Sequence, residues 1–191
     1  MANNKTLKDA NGVDFVSKTT ETSGVNVPHV IIDTPPIVFG RLRGPVSDSF
    51  TRPLNTTAYA VGQAIQNSTT APGVRRFENL FPAGGGSGYI SIAAVVRNPS
   101  MIARVRVHLF NAEPGTKPND GAAFSIANTD EDKYLGYIDL DGFARGAACS
   151  SNRKEVVVSG TDVFYCLETL DAFTPLSGTN YLLKATLDAN V

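Results

Sequence analysis

From residue 45 onward the chain is cut into short pieces by turn formers: Pro72-Gly73, the glycine-rich run 84–88, Asn98-Pro99, Pro114-Gly115, Asp141-Gly142, Ser159-Gly160 and Ser177-Gly178. These residues set backbone geometry that helices do not continue through. No piece between them pairs a 3.6-residue apolar period with a helix start and stop, and the best helical segment, 119–128, is worth one or two turns. The pieces read instead as strands at 57–66, 75–81, 88–97, 102–110, 134–140, 153–159, 162–170 and 180–187, with a weaker one at 122–126. The alternation is clearest where Arg104, Arg106 and His108 interleave with Val105, Val107 and Leu109, which puts two arginines and a histidine on one face of a half-buried strand. The run from Tyr89 to Val96 is almost continuously apolar and reads as a central strand covered on both faces. Many short strands joined by tight turns define the fold class: all-β, an antiparallel β-sandwich with a jelly-roll-like core over 45–191.

Residues 1–44 have a different texture. Gly12, Gly24, Pro28 and the Pro35-Pro36 pair break any helical period, while Val30, Ile31, Ile32, Ile37, Val38 and Phe39 are too apolar for a solvated tail. We read 1–44 as an extended N-terminal arm that orders by lying on a partner.

With 42% hydrophobic and 18% charged residues in 191, the chain has the composition of a folded domain with a sizeable core. Lys and Arg number 17 against 18 for Asp and Glu, so the basic footprint of a nucleic-acid-binding domain is missing and no nucleic-acid partner is expected. No apolar run has the length of a membrane span or a signal peptide, so synthesis in the cytoplasm and no membrane association are expected. Cys149 and Cys166 lack metal-ligand spacing and read as small core residues, a disulfide between them being left open.

Charge is uneven along the chain. In 41–106, Arg41, Arg43, Arg52, Arg75, Arg76, Arg97, Arg104 and Arg106 stand against Asp48 and Glu78. In 113–141, Glu113, Asp120, Asp130, Glu131, Asp132, Asp139 and Asp141 stand against Lys117 and Lys133. Two solvated faces would account for this, and so would head-to-tail contact between the arginine-rich patch of one copy and the acidic loops of another. The candidate contact residues are Val30, Ile31 and Ile32 in the arm and Arg41, Arg43 and Arg52 in the arginine-rich segment.

Reaction chemistry is thinly represented. The two histidines are His29, beside Pro28, and His108, whose flanking arginines would lower its basicity. The 84–88 run lacks the Lys-Ser/Thr ending of a phosphate-binding loop and reads as a turn before a strand. Asp139-Leu-Asp141-Gly142 has the start of a calcium loop without its closing glutamate and reads as a turn. No catalytic, metal or cofactor residues are assigned, and a non-enzymatic role is expected.

Several phrases, taken together, resemble tailed-bacteriophage virion proteins of the kind encoded close to the major capsid protein. They are Asn4-Lys-Thr-Leu-Lys-Asp-Ala-Asn-Gly12, Thr56-Thr-Ala-Tyr-Ala-Val-Gly62, Gly86-Ser-Gly-Tyr-Ile90, Arg106-Val-His-Leu-Phe-Asn111, Asn119-Asp-Gly-Ala-Ala-Phe124, Leu135-Gly-Tyr-Ile-Asp139 and Leu167-Glu-Thr-Leu-Asp-Ala-Phe-Thr-Pro175. The resemblance spans most of the chain and carries no active-site signature. It implies a jelly-roll-like capsid decoration (cement) protein on the outer capsid surface of the virion, a homo-oligomer, often a trimer, that clamps neighbouring major capsid subunits. The alternative reading is a tail or baseplate module recognising a host carbohydrate or receptor through exposed tyrosines such as Tyr134 and Tyr137, in a chain with no Trp.

Overall fold

The computed structural model describes residues 4–8, 14–22, 25–31, 42–97, 103–141, 147–149 and 152–190. The chain divides into two compact units, Met1–Val38 and Phe39–Val191. In the first, strands β1 (Asn4–Lys8), β2 (Asp14–Thr22) and β3 (Val25–Ile31) form an antiparallel sheet in the order β1-β2-β3. These three strands are therefore a small sheet with its own pairing, where an extended arm was expected. Extended segments leave their N–H and C=O groups open, and here neighbouring segments of the same chain satisfy them. Pro28 is tolerated because β3 is an edge strand.

The second unit is a sandwich of two antiparallel sheets. Its elements are β4 (Leu42–Thr51), β5 (Ala64–Ile65), β6 (Arg76–Phe77), β7 (Gly86–Arg97), β8 (Val105–Phe110), a 3-10 turn at Asn128–Lys133, β9 (Tyr134–Leu140), β10 (Ala147–Cys149), β11 (Lys154–Val158), β12 (Val163–Thr169) and β13 (Asn180–Asn190). One sheet runs β10-β7-β13-β4, with β11 also on β7; the other runs β5-β12-β8-β9, with β6 also on β12. Because β5 and β6 share one partner, and β10 and β11 another, the described residues of the unit fill eight strand positions in chain order. The first sheet then reads first-eighth-third-sixth and the second reads second-seventh-fourth-fifth.

The core lies between the sheets. Phe50, Ile90, Ile92, Ala94, Val96, Val156, Val158, Tyr181, Leu183, Ala185 and Leu187 come from the first; Ile65, Phe77, Val105, Val107, Leu109, Ile138, Leu140, Val163, Tyr165 and Leu167 come from the second. Period-two alternation places them there, and each fully buried Val, Leu or Ile contributes roughly 1.5–3 kcal/mol by leaving water. Phe50 stacks on Tyr181 at 5.3 Å within the first sheet, and Phe77 on Tyr165 at 4.7 Å within the second. The glycine-rich run leads straight into β7 as a turn. Gly85 sits at φ +78°, and a Cβ there would lie 2.0 Å from the Val158 carbonyl oxygen, so only glycine fits.

Several expectations are corrected. The sandwich begins earlier than residue 45, because Leu42 and Arg43 already pair with Asp188 and Leu187 of β13. β7 is central in its sheet, yet from Tyr89 to Val96 the residues buried are Ile90, Ile92, Ala94 and Val96, while Ser91, Ala93 and Val95 on the other face are half-buried. The segment 57–66 shrinks to β5 and two isolated bridges, Tyr59 with Phe173 and Gln63 with Ala123. Residues 119–124 are neither helix nor strand: Gly121 N–H donates to Ala64 O, Ala64 N–H to Ala122 O and Phe124 N–H to Gly62 O, so their amides are spent across on the β5 segment. Residues 111–133 accordingly form a strap over the outer face of the second sheet, closed at its base by Asn111 N–H to Lys133 O at 2.8 Å. Beneath it His108, Phe110 and Cys166, which all point away from the sandwich core, are buried.

Candidate interaction surface

Arg52 follows β4 and, contrary to its reading as a surface contact, is 2% exposed. Its Nε–H donates to Tyr59 Oη at 3.0 Å, Nη1 to the Asn55 carbonyl at 2.7 Å, and Nη2 to Asn55 Oδ1 at 3.0 Å and Asp120 Oδ2 at 3.1 Å. Asp120 Oδ1 accepts from Tyr59 O–H and from Gln66 N–H. Burial, reinforced by the bond to Asp120, pushes the Tyr59 phenol well above its usual range, so it is a permanent donor. A buried guanidinium needs this many acceptors because each unmet donor would carry a desolvation cost.

The hub holds up one end of the sandwich. There the 52–63 connection meets 170–179: Arg52 N–H donates to Thr179 O, Gly178 N–H to Pro53 O, and Tyr59 and Phe173 exchange backbone bonds. Gly178 takes φ +63°, and a Cβ on it would come within 2.7 Å of the Leu54 side chain. On this braced end Leu54 is 86% exposed, Val61 63% and Leu176 40%. A recess of about 90 Å³ lies beside them, walled by Asn55, Thr57, Ala58, Gln63 and Thr69 above the Arg52–Asp120 pair.

The outer face of the second sheet carries the residues that alternation assigned to it. Arg106 grips Asp139 with two bonds, at 2.7 and 3.0 Å, and lies 3.8 Å over the Tyr137 ring, which is 48% exposed. His108 stacks on Phe124 of the strap at 4.0 Å, with Nε2 2.9 Å from Glu168 Oε2 and Nδ1 3.0 Å from Tyr134 Oη. Burial lowers its pKa against the opposing pull of Glu168, so it is neutral at neutral pH. Its partners then place the proton on Nε2, donated to Glu168, while Nδ1 accepts from Tyr134. With both nitrogens engaged, His108 is a latch for the strap and has none left for a nucleophile. The Cys166 thiol is pushed up to about 12 by burial, the condition of an inert buried thiol.

A groove of about 510 Å³ runs between the edge strand β4 and β6, walled by Ser47, Asp48, Val74, Arg75, Arg76 and Glu78. Arg75 Nη1 donates to the Ser49 carbonyl at 3.2 Å across it. A side-chain cap of this kind blunts an open strand edge.

Among the described residues, five arginines of the basic block are paired with carboxylates of the same chain. Arg52–Asp120 and Arg106–Asp139 join the arginine-rich segment to the acidic one inside a single chain, and Arg75–Asp48, Arg76–Glu78 and Arg104–Asp171 take up three more arginines. Asp130 is spent on the strap, accepting from Lys133 Nζ and from the Gly115 and Thr116 amides. Head-to-tail charge complementarity between copies thus loses its basis among these residues. Among the described residues no three His, Cys, Asp or Glu side chains converge as metal ligands, and no helix is long and apolar enough to cross a membrane.

Of the six expected contact residues, Arg52 lies in the buried hub. Val30 and Ile31 lie in β3 of the first unit, opposite Ser17 and Val16, and Arg43 lies in β4. Ile32 and Arg41 fall outside the described residues, as do the side chains of Val30, Ile31 and Arg43. Sequence reasoning missed Leu54 and the hub beneath it, although one signal was present: from Pro53 to Val74 the chain has no charged residue. Comparisons with protein-family models, with curated proteins and with solved structures return no match.

Proposed function

We propose that this chain is a non-enzymatic structural protein of a tailed-phage virion, a decoration protein that sits on the outer surface of the capsid as a homo-oligomer, a trimer, and clamps neighbouring major capsid subunits. The observation that carries the reading is the strand order. First-eighth-third-sixth facing second-seventh-fourth-fifth supports a jelly roll, an architecture recurrent in viral shells and in lectins. That step is an analogy of fold, and the residues add to it. Arg52, Arg75, Arg76, Arg104 and Arg106 are paired within the chain, His108 is occupied on both nitrogens, and the braced, uncharged loop runs 53–63 and 172–179 present Leu54, Val61 and Leu176 outward. A clamp needs no more than contact area, since whatever binds the assembled shell stabilises it by mass action.

Quantitative peptide mass spectrometry of purified virions tests this. Abundance comparable to the major capsid protein is the expected result. A few copies per particle would instead place the chain in the neck, tail or baseplate, and absence from the particle would overturn the virion reading. The lectin use of the same architecture gives a second reading, favoured by the exposed Tyr137 ring: recognition of a host carbohydrate by a tail module. Binding on a glycan array that is lost in Tyr137→Ala would select it.

A further inference from the structure

The run from Pro53 to Val74 and the run from Ala172 to Leu183 contain no Asp, Glu, Lys or Arg, although the chain is 18% charged and the first run alone would hold about four at the average rate. Parts of both runs meet at the braced end, where Tyr59 pairs with Phe173 and Gly178 with Pro53. The charges that precede them in sequence are paired, Arg52 with buried Asp120 and Asp171 with Arg104. Elsewhere the described surface is dotted with ion pairs such as Arg76–Glu78, Lys117–Glu113 and Arg153–Asp188. Charge depletion around protruding apolar side chains, here Leu54, Val61 and Leu176 bordered by Thr56, Thr57, Thr174 and Ser177, is the make-up of an interface centre and not of a solvated loop.

The same observation specifies the occupant. The loop runs 53–63 and 172–179, uncharged throughout, have nothing to offer a charged partner, and burying unmatched charges against them would be costly. The partner face must therefore be uncharged and apolar at its middle. The loop end of a second copy meets both conditions and brings no like-charge repulsion, and a contact between identical patches closes by rotational symmetry. The Arg52 hub holds the loops in one shape beforehand, so little conformational entropy remains to be lost on docking.

We propose that this loop end is a self-association surface, with Leu54 at its centre, by which copies of this chain join. It rests on the reading of the chain as an assembly protein and names the face that does the joining. Sedimentation velocity of the full chain, carried to roughly 100 μM, reads it directly. The expected result is self-association that survives about 1 M NaCl, because no charge pairs hold it. Leu54→Asp and Leu54→Lys should each weaken it about tenfold or more while leaving circular dichroism and Tm unchanged, since this side chain is almost wholly in solvent within one copy. Val157→Asp, at another exposed apolar position on β11, should leave it intact. A monomer at every concentration, an assembly dissolved by salt, or one undisturbed by both Leu54 variants would overturn the proposal. Co-sedimentation with purified capsids is scored separately, so its failure alongside intact self-association would sink only the capsid reading.

Discussion

Arg52 and Arg106 are both held by an aspartate and both lie against a tyrosine ring, yet one sits under the loop end and the other on the outer face of the second sheet. The Arg52–Asp120 pair is almost fully enclosed, with side chains 1% and 3% exposed, and its hydrogen bonds define the path of two loops. The Arg106–Asp139 pair has about a third of its surface in water and lies across strands whose pairing is already set by the core. Similar contacts thus do different things. In the interior an ion pair is a geometric constraint whose loss strands a charge, whereas near water it is a weak addition to a register decided elsewhere.

The sharpest way to break the comparison is Arg52→Met. Removing one member leaves Asp120 buried without its cation, and a loss of about 3–5 kcal/mol in urea unfolding is expected. A loss below about 1 kcal/mol would show that the hub is dispensable and that the loop end is braced by backbone bonds alone. Unfolding of the Met variant at lower urea should be accompanied by faster amide exchange at Gly178, whose N–H is bonded to Pro53 O.

An intermediate effect is expected at the His108 latch, and it depends on pH. Burial lowers the folded-state pKa below the ordinary value of 6.5, so as pH falls below that value the unfolded chain takes up the proton first. Stability should therefore fall from about pH 6.5 downward until the folded-state pKa is reached, and level there. In His108→Gln, Tm should be lower at neutral pH but should change less between about pH 7.5 and pH 5.5 than in the unaltered chain. An identical pH slope in both would remove His108 as its source. At still lower pH a separate loss is expected: Lys133 and the Gly115 and Thr116 amides hold Asp130 down to about 2, so its contribution is complete above its ordinary pKa and disappears as pH falls toward 2.

The smallest effect belongs to Arg106→Met, expected to cost about 0.2–1 kcal/mol, part of it from the contact with Tyr137. Added salt should shrink that cost further, while leaving the cost of Arg52→Met nearly unchanged because enclosed charges are poorly screened. Equal salt sensitivity for the two variants would erase the distinction between the regions.

Much of the sandwich was legible from local pattern. Residues 134–140 coincide with β9, and the alternation from Arg104 to Leu109 assigned the faces of β8, because side-chain direction in a strand follows parity alone. Legibility failed where a segment is held by contacts distant in sequence. β4 was hidden because Pro45 and Gly44 suggest a boundary, yet an edge strand tolerates both and β13 supplies the pairing. Arg52 looked like any surface arginine, because nothing near it in the chain announces Asp120, 68 residues on.

What the sequence determined by itself was therefore what depends on near neighbours: strand-rich character, turn positions, face assignment and the uncharged run from Pro53 to Val74. The tertiary structure alone decided what depends on meeting across the fold. It paired β1, β2 and β3 with one another, drew Arg52 and Arg106 to aspartates of the acidic block, and buried one arginine so that Leu54 could be held in water. The physical reason is that parity and turn chemistry act over a few residues, whereas a charge's environment is set by whichever segments the packed core brings beside it.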